Sequence, residues 1–452
     1  MSRAPARAAA ERAPAGLAAR HAAVALLRAV LRDGRPLDEA LERSSAGRAM
    51  AALESRDRAF ARAIAATALR RKGQIDAVLA RFLERGWPQR AGALTEILLA
   101  AAAQLLFLDT PPHAAVGLAV AQCQADAQAS RYGKLANAVL RRVAGEGRAM
   151  AEAQDAPRLN TPDWLWRRWQ ATYGEVARDI ARAHLSEPAL DLTVKADAQG
   201  WARRLGGVAL ATGSVRVAAK GPVEALEGFA EGVWWVQDAA AALPARLLGP
   251  VASARVADLC AAPGGKTAQL AHAGAHVTAV DLSKRRLARV GENLARLGLQ
   301  AELVAADATS WRVPEPFDAV LLDAPCSATG TIRRHPDILH LKRPKDVAEL
   351  AALQARLIDN ALRLLKPGGR LVYCTCSLEP EEGWRQVETA LGRHRQARLQ
   401  PVQAAEIAGR TDWIDAHGCL RTLPHDLAIE DHGSDAIMAG MDGFFAARLG
   451  AA

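Results

Sequence analysis

From Ala254 onward, short apolar runs alternate with longer amphipathic stretches, and most of the runs stop at an acid, a cysteine or a glycine-rich turn. Residues 255–259, 276–280, 301–305, 318–322 and 370–374 have the length and the β-branched, apolar character of strands. Residues 267–273, 284–297 and 347–365 have helical periodicity. Apolar runs of this length separated by helices predict a parallel sheet covered on both faces. The fold class expected here is therefore a doubly wound, Rossmann-like α/β domain over 251–452, whose ligands sit beyond the carboxyl ends of its strands. Two late runs, 419–423 and 443–449, are expected to pair as a terminal hairpin.

The rest of the chain follows other rules. Residues 17–145 are helical throughout, with breaks at Asp33-Gly34, Gly73, Gly86-Trp87-Pro88 and Thr110-Pro111-Pro112, so they predict an all-α bundle. Residues 1–16 read as a disordered Ala/Arg tail, and the small, acidic stretch 145–157 reads as a linker. Residues 158–250 form a small α+β module. It opens with Thr161 as helix cap and Pro162 as first helical residue, carries an apolar stripe of Trp164, Leu165, Trp169 and Tyr173, and has strands at 190–196 and 232–237. Tryptophans beside Arg167 and Arg168 could stack bases, but an aromatic stripe at helical spacing predicts core packing.

Charge is unevenly placed. Residues 1–150 hold 23 Lys/Arg against 13 Asp/Glu, and the remainder holds 35 against 36. A basic surplus confined to the first third is what a phosphate-binding domain requires, although an Ala/Arg-rich composition alone can produce one. Six scattered cysteines do not make a disulfide framework, which points to a reducing, cytoplasmic setting. Cys374 and Cys376 lie two apart in a strand and thus on opposite faces, and no C-x-x-C pair occurs, so no metal is expected. The apolar stretch 91–108 contains Thr95, Glu96 and Gln104, which predicts a buried helix and no membrane contact. A monomer is expected.

Three short motifs carry the chemistry. The turn Cys260-Ala261-Ala262-Pro263-Gly264-Gly265-Lys266 follows the first strand; Cys260 is not the glycine a P-loop requires, and the G-x-G-x-x-G of dehydrogenases is absent. Two glycines there allow a ligand to approach the backbone. Asp281, 21 residues after Cys260, is placed to accept ribose hydroxyls, and Asp307 to meet a base edge. Asp258, Asp281, Asp307 and Asp323 form a series of acids at four strand ends. The other motifs are Asp323-Ala324-Pro325-Cys326-Ser327 and Tyr373-Cys374-Thr375-Cys376-Ser377, which bring two thiols to one rim. A thiolate can add to an unreactive pyrimidine carbon and leave again, so the pair suggests covalent chemistry on a base. Cys123, Cys374 and Cys419 read as small buried hydrophobes, and Cys260 as a backbone contributor. Arg333-Arg334-His335, on the same rim, read as a phosphate clamp against the alternative of a solvated basic loop.

Taken together, Asp258–Thr267, Asp323–Gly330 and Tyr373–Ser377 resemble the RNA cytosine-C5 methyltransferases of the NOL1/NOP2/Sun group. The N-terminal bundle resembles NusB, and Thr331–Ile338 resembles the group's bacterial branch that acts on 16S rRNA. One departure is Ala328, where many relatives have glycine. The resemblance implies S-adenosylmethionine as cofactor, held by Cys260–Lys266 with Asp281, Asp307 and Asp323. It implies Cys376 as the nucleophile at cytosine C6, Cys326 as the group that removes the C5 proton or releases Cys376, and Asp323 as a holder of the base near N3. The substrate would be a cytosine of 16S rRNA in a hairpin loop or flipped from its stack. A tRNA methyltransferase and a non-catalytic antitermination factor are the alternatives, the second needing neither cofactor nor paired thiols. Lys266, Arg333 and the donor's own sulfonium are the candidate charges for activating Cys376.

Overall fold

The computed structural model describes residues 14, 16–218, 221–427 and 439–451. The tail expected over 1–16 lies outside the described residues except for Pro14 and Gly16. The chain forms two compact units, Met1–Asn160 and Thr161–Ala452.

The described elements of the first unit are α-helices and one short 3-10 turn. At its centre lies Leu94–Phe107, whose Leu/Ala run is buried on all sides. Its one acid, the buried Glu96, accepts two hydrogen bonds from Arg32 at 2.6 and 2.8 Å, which offsets the cost of taking a carboxylate out of water. The break expected at Gly73 falls two residues earlier, at Arg71 between the helices Ser55–Arg70 and Lys72–Phe82, so Gly73 lies in the first turn of the second. A Cβ there would fall 1.8 Å from the carbonyl oxygen of Leu159, so the glycine serves close packing. The linker expected over 145–157 is also replaced in part, because the helix Gly133–Glu152 runs through it. Ala, Glu, Arg and Met in that stretch are good helix formers, and Gly147 is buried against Leu106. Among the described residues no helix is long and apolar enough to cross a membrane.

The second unit opens with the helix Asp163–Tyr173. Pro162, with extended backbone, is its cap, so the helix begins one residue later than expected and places Asp163 in its first turn. Leu165 and Trp169 are buried, with Trp164 and Tyr173 packed beside them; the tryptophan stripe is core, as expected. A small antiparallel sheet follows, of β1 (Leu190–Val194), β2 (Val208–Ala209), β3 (Ser214–Val217) and β4 (Trp234–Val236), in the order β2-β3-β1-β4. β2 and β3 went unread in the sequence because runs of two and four residues carry no periodicity.

The large sheet contains β5 (Arg255–Leu259), β6 (His276–Asp281), β7 (Glu302–Ala305), β8 (Phe317–Asp323), β9 (Leu365–Thr375), β10 (Ala397–Gln400), β11 (Leu420–Thr422) and β12 (Phe444–Ala451). Its order is β10-β12-β9-β8-β5-β6-β7, with β11 beside β12. β7, β6, β5, β8 and β9 are parallel, while β12 runs antiparallel between β9 and β10. The late hairpin therefore exists as β11 and β12 and also extends the sheet. The strand order reverses between β5 and β8, which fixes the ligand crevice at their carboxyl ends. Apolar side chains such as Val256 and Leu321 on one face, and Leu259 and Leu322 on the other, fill two cores.

Candidate functional site

The turn after β5 is built on unusual backbone. Cys260 has φ +61° and Gly264 φ +102°, and a Cβ on Gly264 would come within 2.9 Å of the Val290 side chain. Only glycine combines that conformation with that closeness. The helix Gly265–His272 then starts directly behind the bare loop. Beneath the loop, Asp258 is completely buried and accepts a hydrogen bond from Thr267 Oγ1 at 2.6 Å. Asp258 is thus not one of the rim acids, as the sequence suggested, but an internal strut; its other oxygen is buried without a partner. Burial pushes its carboxyl up to about 7. A folded-state value above the ordinary 3.8 means that the neutral form stabilises the fold. That contribution is complete below about pH 4 and lost as pH rises through about 7. Asp258→Asn, which mimics the neutral carboxyl, is expected to melt near the parent at pH 4 and above it at pH 8, as differential scanning calorimetry would read.

Three acids do stand at strand ends. Asp281 ends β6, where its oxygens accept from the backbone N–H of Ser283 at 2.9 Å and of Ala262 at 3.2 Å. It thereby shapes the turn as well as the rim. Asp307, beyond β7, is exposed and held below the usual carboxylate range by hydrogen bonds from the Thr309 backbone and hydroxyl. Asp323 ends β8, paired with Lys266 Nζ at 2.8 Å and receiving the Cys374 thiol at 3.5 Å. The Lys266 ammonium is buried; desolvation opposes its charge, but Asp323 outweighs this and raises it. An acidic rim around a bare glycine turn fits a ligand that carries a ribose diol and net positive charge, and it disfavours a phosphate. Cys260 packs beside this turn with its thiol pushed up to about 12 by burial and the neighbouring acids.

The two expected thiols meet. β8 and β9 are adjacent and parallel with Asp323 opposite Cys374, so the loops leaving them run side by side. Cys326 Sγ and Cys376 Sγ are 3.5 Å apart, and both residues are partly exposed. Gly330 N–H donates to the Cys376 carbonyl at 3.0 Å, and the Gly330 carbonyl accepts from Gly443 at 2.9 Å. A Cβ on Gly330 would lie 1.9 Å from the Gly443 oxygen, so the Cys326 loop closes on β12 only with glycine there. Ala328 sits at φ +60°, a region where glycine would be more at ease than alanine. The hydrogen bond to Cys376, together with burial, pushes the Cys326 thiol well above its ordinary range. Cys374 is buried as read, yet it also touches Asp323.

The basic triplet behaves differently from an open phosphate clamp. Arg333 is 1% exposed and donates to the carbonyl of Ala439 at 2.7 Å. Arg334 is paired with both oxygens of the buried Asp442, with Nε at 3.0 and 3.2 Å, and also contacts His335. Arg333 is spent on the fold, whereas Arg334, held by Asp442 from the loop before β12, keeps an exposed side chain. Burial opposes the Arg334 charge, but Asp442, then Asp238, raise it strongly. Sequence reasoning missed the buried acids Glu379 and Glu382 behind the thiols. The only available signal was Pro380-Glu381-Glu382 directly after the motif, which reads like a solvated turn.

Comparison with known proteins gives a consistent picture. The family model of the 16S rRNA methyltransferase RsmB/F matches residues 245–450, and the NusB family model matches residues 17–145. The ribosomal RNA small subunit methyltransferase B of Xanthomonas campestris pv. campestris is 40% identical over 413 residues, 88% of this chain and 92% of that protein. The protein of the same name from Xylella fastidiosa is 38% identical over 450 residues, 96% of this chain and 98% of that protein. The crystal structure of PH0851 shares the fold with a TM-score of 0.71 at 23% identity, over 97% of this chain and 99% of that one.

Proposed function

Because the chain belongs to the RsmB/F family of 16S rRNA methyltransferases, for which S-adenosylmethionine is the methyl donor, we propose that it makes 5-methylcytosine in 16S rRNA through a covalent bond between Cys376 and cytosine C6. The observation that carries the covalent reading is the 3.5 Å approach of two partly exposed thiols beside an acid-lined glycine turn. The donor, when bound, supplies an electrophilic methyl on a sulfonium. Cys260–Lys266, Asp281, Asp307 and Asp323 would hold it.

The protein's own residues do the rest. Cys376 attacks C6 as thiolate. Addition at C6 converts C5 into a nucleophilic, enamine-like carbon. Asp323, immobilised between Lys266 and Cys374, holds the N3 edge of the ring and stabilises the proton taken up there as electron density moves onto the base. After C5 is methylated, Cys326 accepts the C5 proton, the C5–C6 double bond re-forms, and Cys376 leaves as thiolate.

Cys326 is suited to that timing. Its elevated proton affinity comes first from the hydrogen bond with Cys376. Once the Cys376 sulfur is bonded to carbon, that cause disappears, and the partly exposed Cys326 passes its own proton to water and takes the C5 proton as thiolate. Bisulfite sequencing of 16S rRNA from cells with and without the gene tests the function: one cytosine should lose its methyl in the deletion strain. An unchanged pattern in 16S rRNA, with loss of a methyl in tRNA, would transfer the activity to the other substrate.

A further inference from the structure

Behind the two thiols lies a side chain that the reaction scheme does not use. Glu382 is 0% exposed. One of its oxygens accepts from the backbone N–H of Ser327 at 2.8 Å and from Gln354 Nε2 at 3.2 Å. The other accepts from Ser377 Oγ at 2.6 Å and from Ser327 Oγ. Ser327 follows Cys326 and Ser377 follows Cys376, so one carboxylate grips both thiol loops at the residue next to each sulfur. Its backbone carbonyl is engaged as well, by Tyr373 Oη at 2.7 Å and Thr375 Oγ1 at 3.0 Å, both on the strand that leads to Cys376.

Burying an ionised carboxylate costs several kcal/mol unless it is well hydrogen-bonded, and a neutral side chain of similar shape would avoid that cost. Burial pushes the Glu382 carboxyl up, while four donors from Ser327, Ser377 and Gln354 converge on it and favour its charged form. The charge has a consequence for its neighbours. After the Cys376 hydrogen bond and burial, the negative charge of Glu382 adds to the forces that keep Cys326 protonated. Two thiols this close must differ in protonation for one to attack while the other waits.

We propose that Glu382 is a positioning residue that clamps the Cys326 and Cys376 loops in register and sets a buried carboxylate beside the Cys326 thiol. It touches neither base nor donor. The clamp completes a chain of support: Ser377 Oγ accepts from the Glu379 backbone N–H at 3.0 Å, and the Glu379 carboxylate accepts from Trp169 Nε1 at 3.1 Å and pairs with Arg168. The tryptophan helix thus backs the same loop.

This proposal rests on the covalent reading of the thiol pair, so its test is arranged to separate the two. In a Cys376→Ser background the alkylation rate of Cys326 by iodoacetamide is followed against pH, peptide by peptide, by mass spectrometry, with Glu382 and with Glu382→Gln. No RNA or methyl donor is present, so the result does not depend on methyl transfer. Gln keeps the shape and most hydrogen bonds but removes the charge, and the alkylation midpoint of Cys326 is expected to move to lower pH. In the otherwise unchanged enzyme, Glu382→Gln is expected to lower kcat by about 10²-fold, the order of loss that small misplacements of reacting groups produce, with KM for RNA changed less than about threefold. Glu382→Ala, which removes the clamp as well, should lose more. A structural role alone would lower the melting temperature without moving the alkylation midpoint. A midpoint that overlays the parent curve overturns the proposal whatever the activity does.

Discussion

Cys376→Ala is expected to lower methyl transfer to 16S rRNA by about 10⁴-fold or more, the scale at which removal of a covalent nucleophile acts. Binding of RNA and of the methyl donor should change little, because neither the acidic rim nor the glycine turn depends on that sulfur. The substitution is also gentle on the fold. Cys376 is partly exposed, and the loop around it is held by backbone and neighbouring side chains: its own carbonyl by Gly330, and Ser377 by Glu382. Single-turnover transfer of a labelled methyl group reads the effect. Transfer surviving within tenfold of the parent rate would place the nucleophile elsewhere.

Cys326→Ala should behave in the opposite sense, by accumulating what the parent discharges. Addition at C6 and methylation at C5 need Cys376 alone, whereas removal of the C5 proton needs a base beside the adduct. Cys326 Sγ lies only 3.5 Å from Cys376 Sγ, within reach of a base bonded there. Without it the thioether persists, and a protein–RNA complex resistant to denaturant should appear on a gel at about one RNA per protein. Turnover falls because each enzyme is consumed by its first substrate. Free protein alone, with turnover near the parent rate, would remove Cys326 from the release step.

Much of this architecture was legible in the chain because of how parallel sheets are buried. Strands covered on both faces are short apolar runs, and β6, β8 and β9 end where the chain must turn over the crevice, at Asp281, at Asp323 and one residue before Cys376. The pairing of two cysteines in separate motifs was also readable, since both motifs follow strands that the topology makes neighbours. Short or edge strands such as β2 and β10 were not readable; their few residues have no repeating face. Electrostatic assignments fared worst. Asp258 looks like a rim acid and is a buried strut, while Arg333 looks like a surface cation and is buried. Glu382 looks like part of a solvated turn and is the centre of the thiol loops' hydrogen bonds. Periodicity reports which apolar residues face inward, but it does not report which charges follow them, because that depends on partners brought from far along the chain: Thr267, Ala439 and Ser327 respectively.

The covalent bond between one particular sulfur and the base is open to direct observation. Incubating Cys326→Ala with 16S rRNA and S-adenosylmethionine, digesting the denaturant-resistant complex with nuclease and protease, and sequencing the adducted peptide by mass spectrometry identifies the attachment atom. The result expected is a methylated cytosine nucleotide carried on Cys376 within the peptide that follows β9. Attachment at any other residue, or recovery of 5-methylcytosine with no adducted peptide, would contradict it.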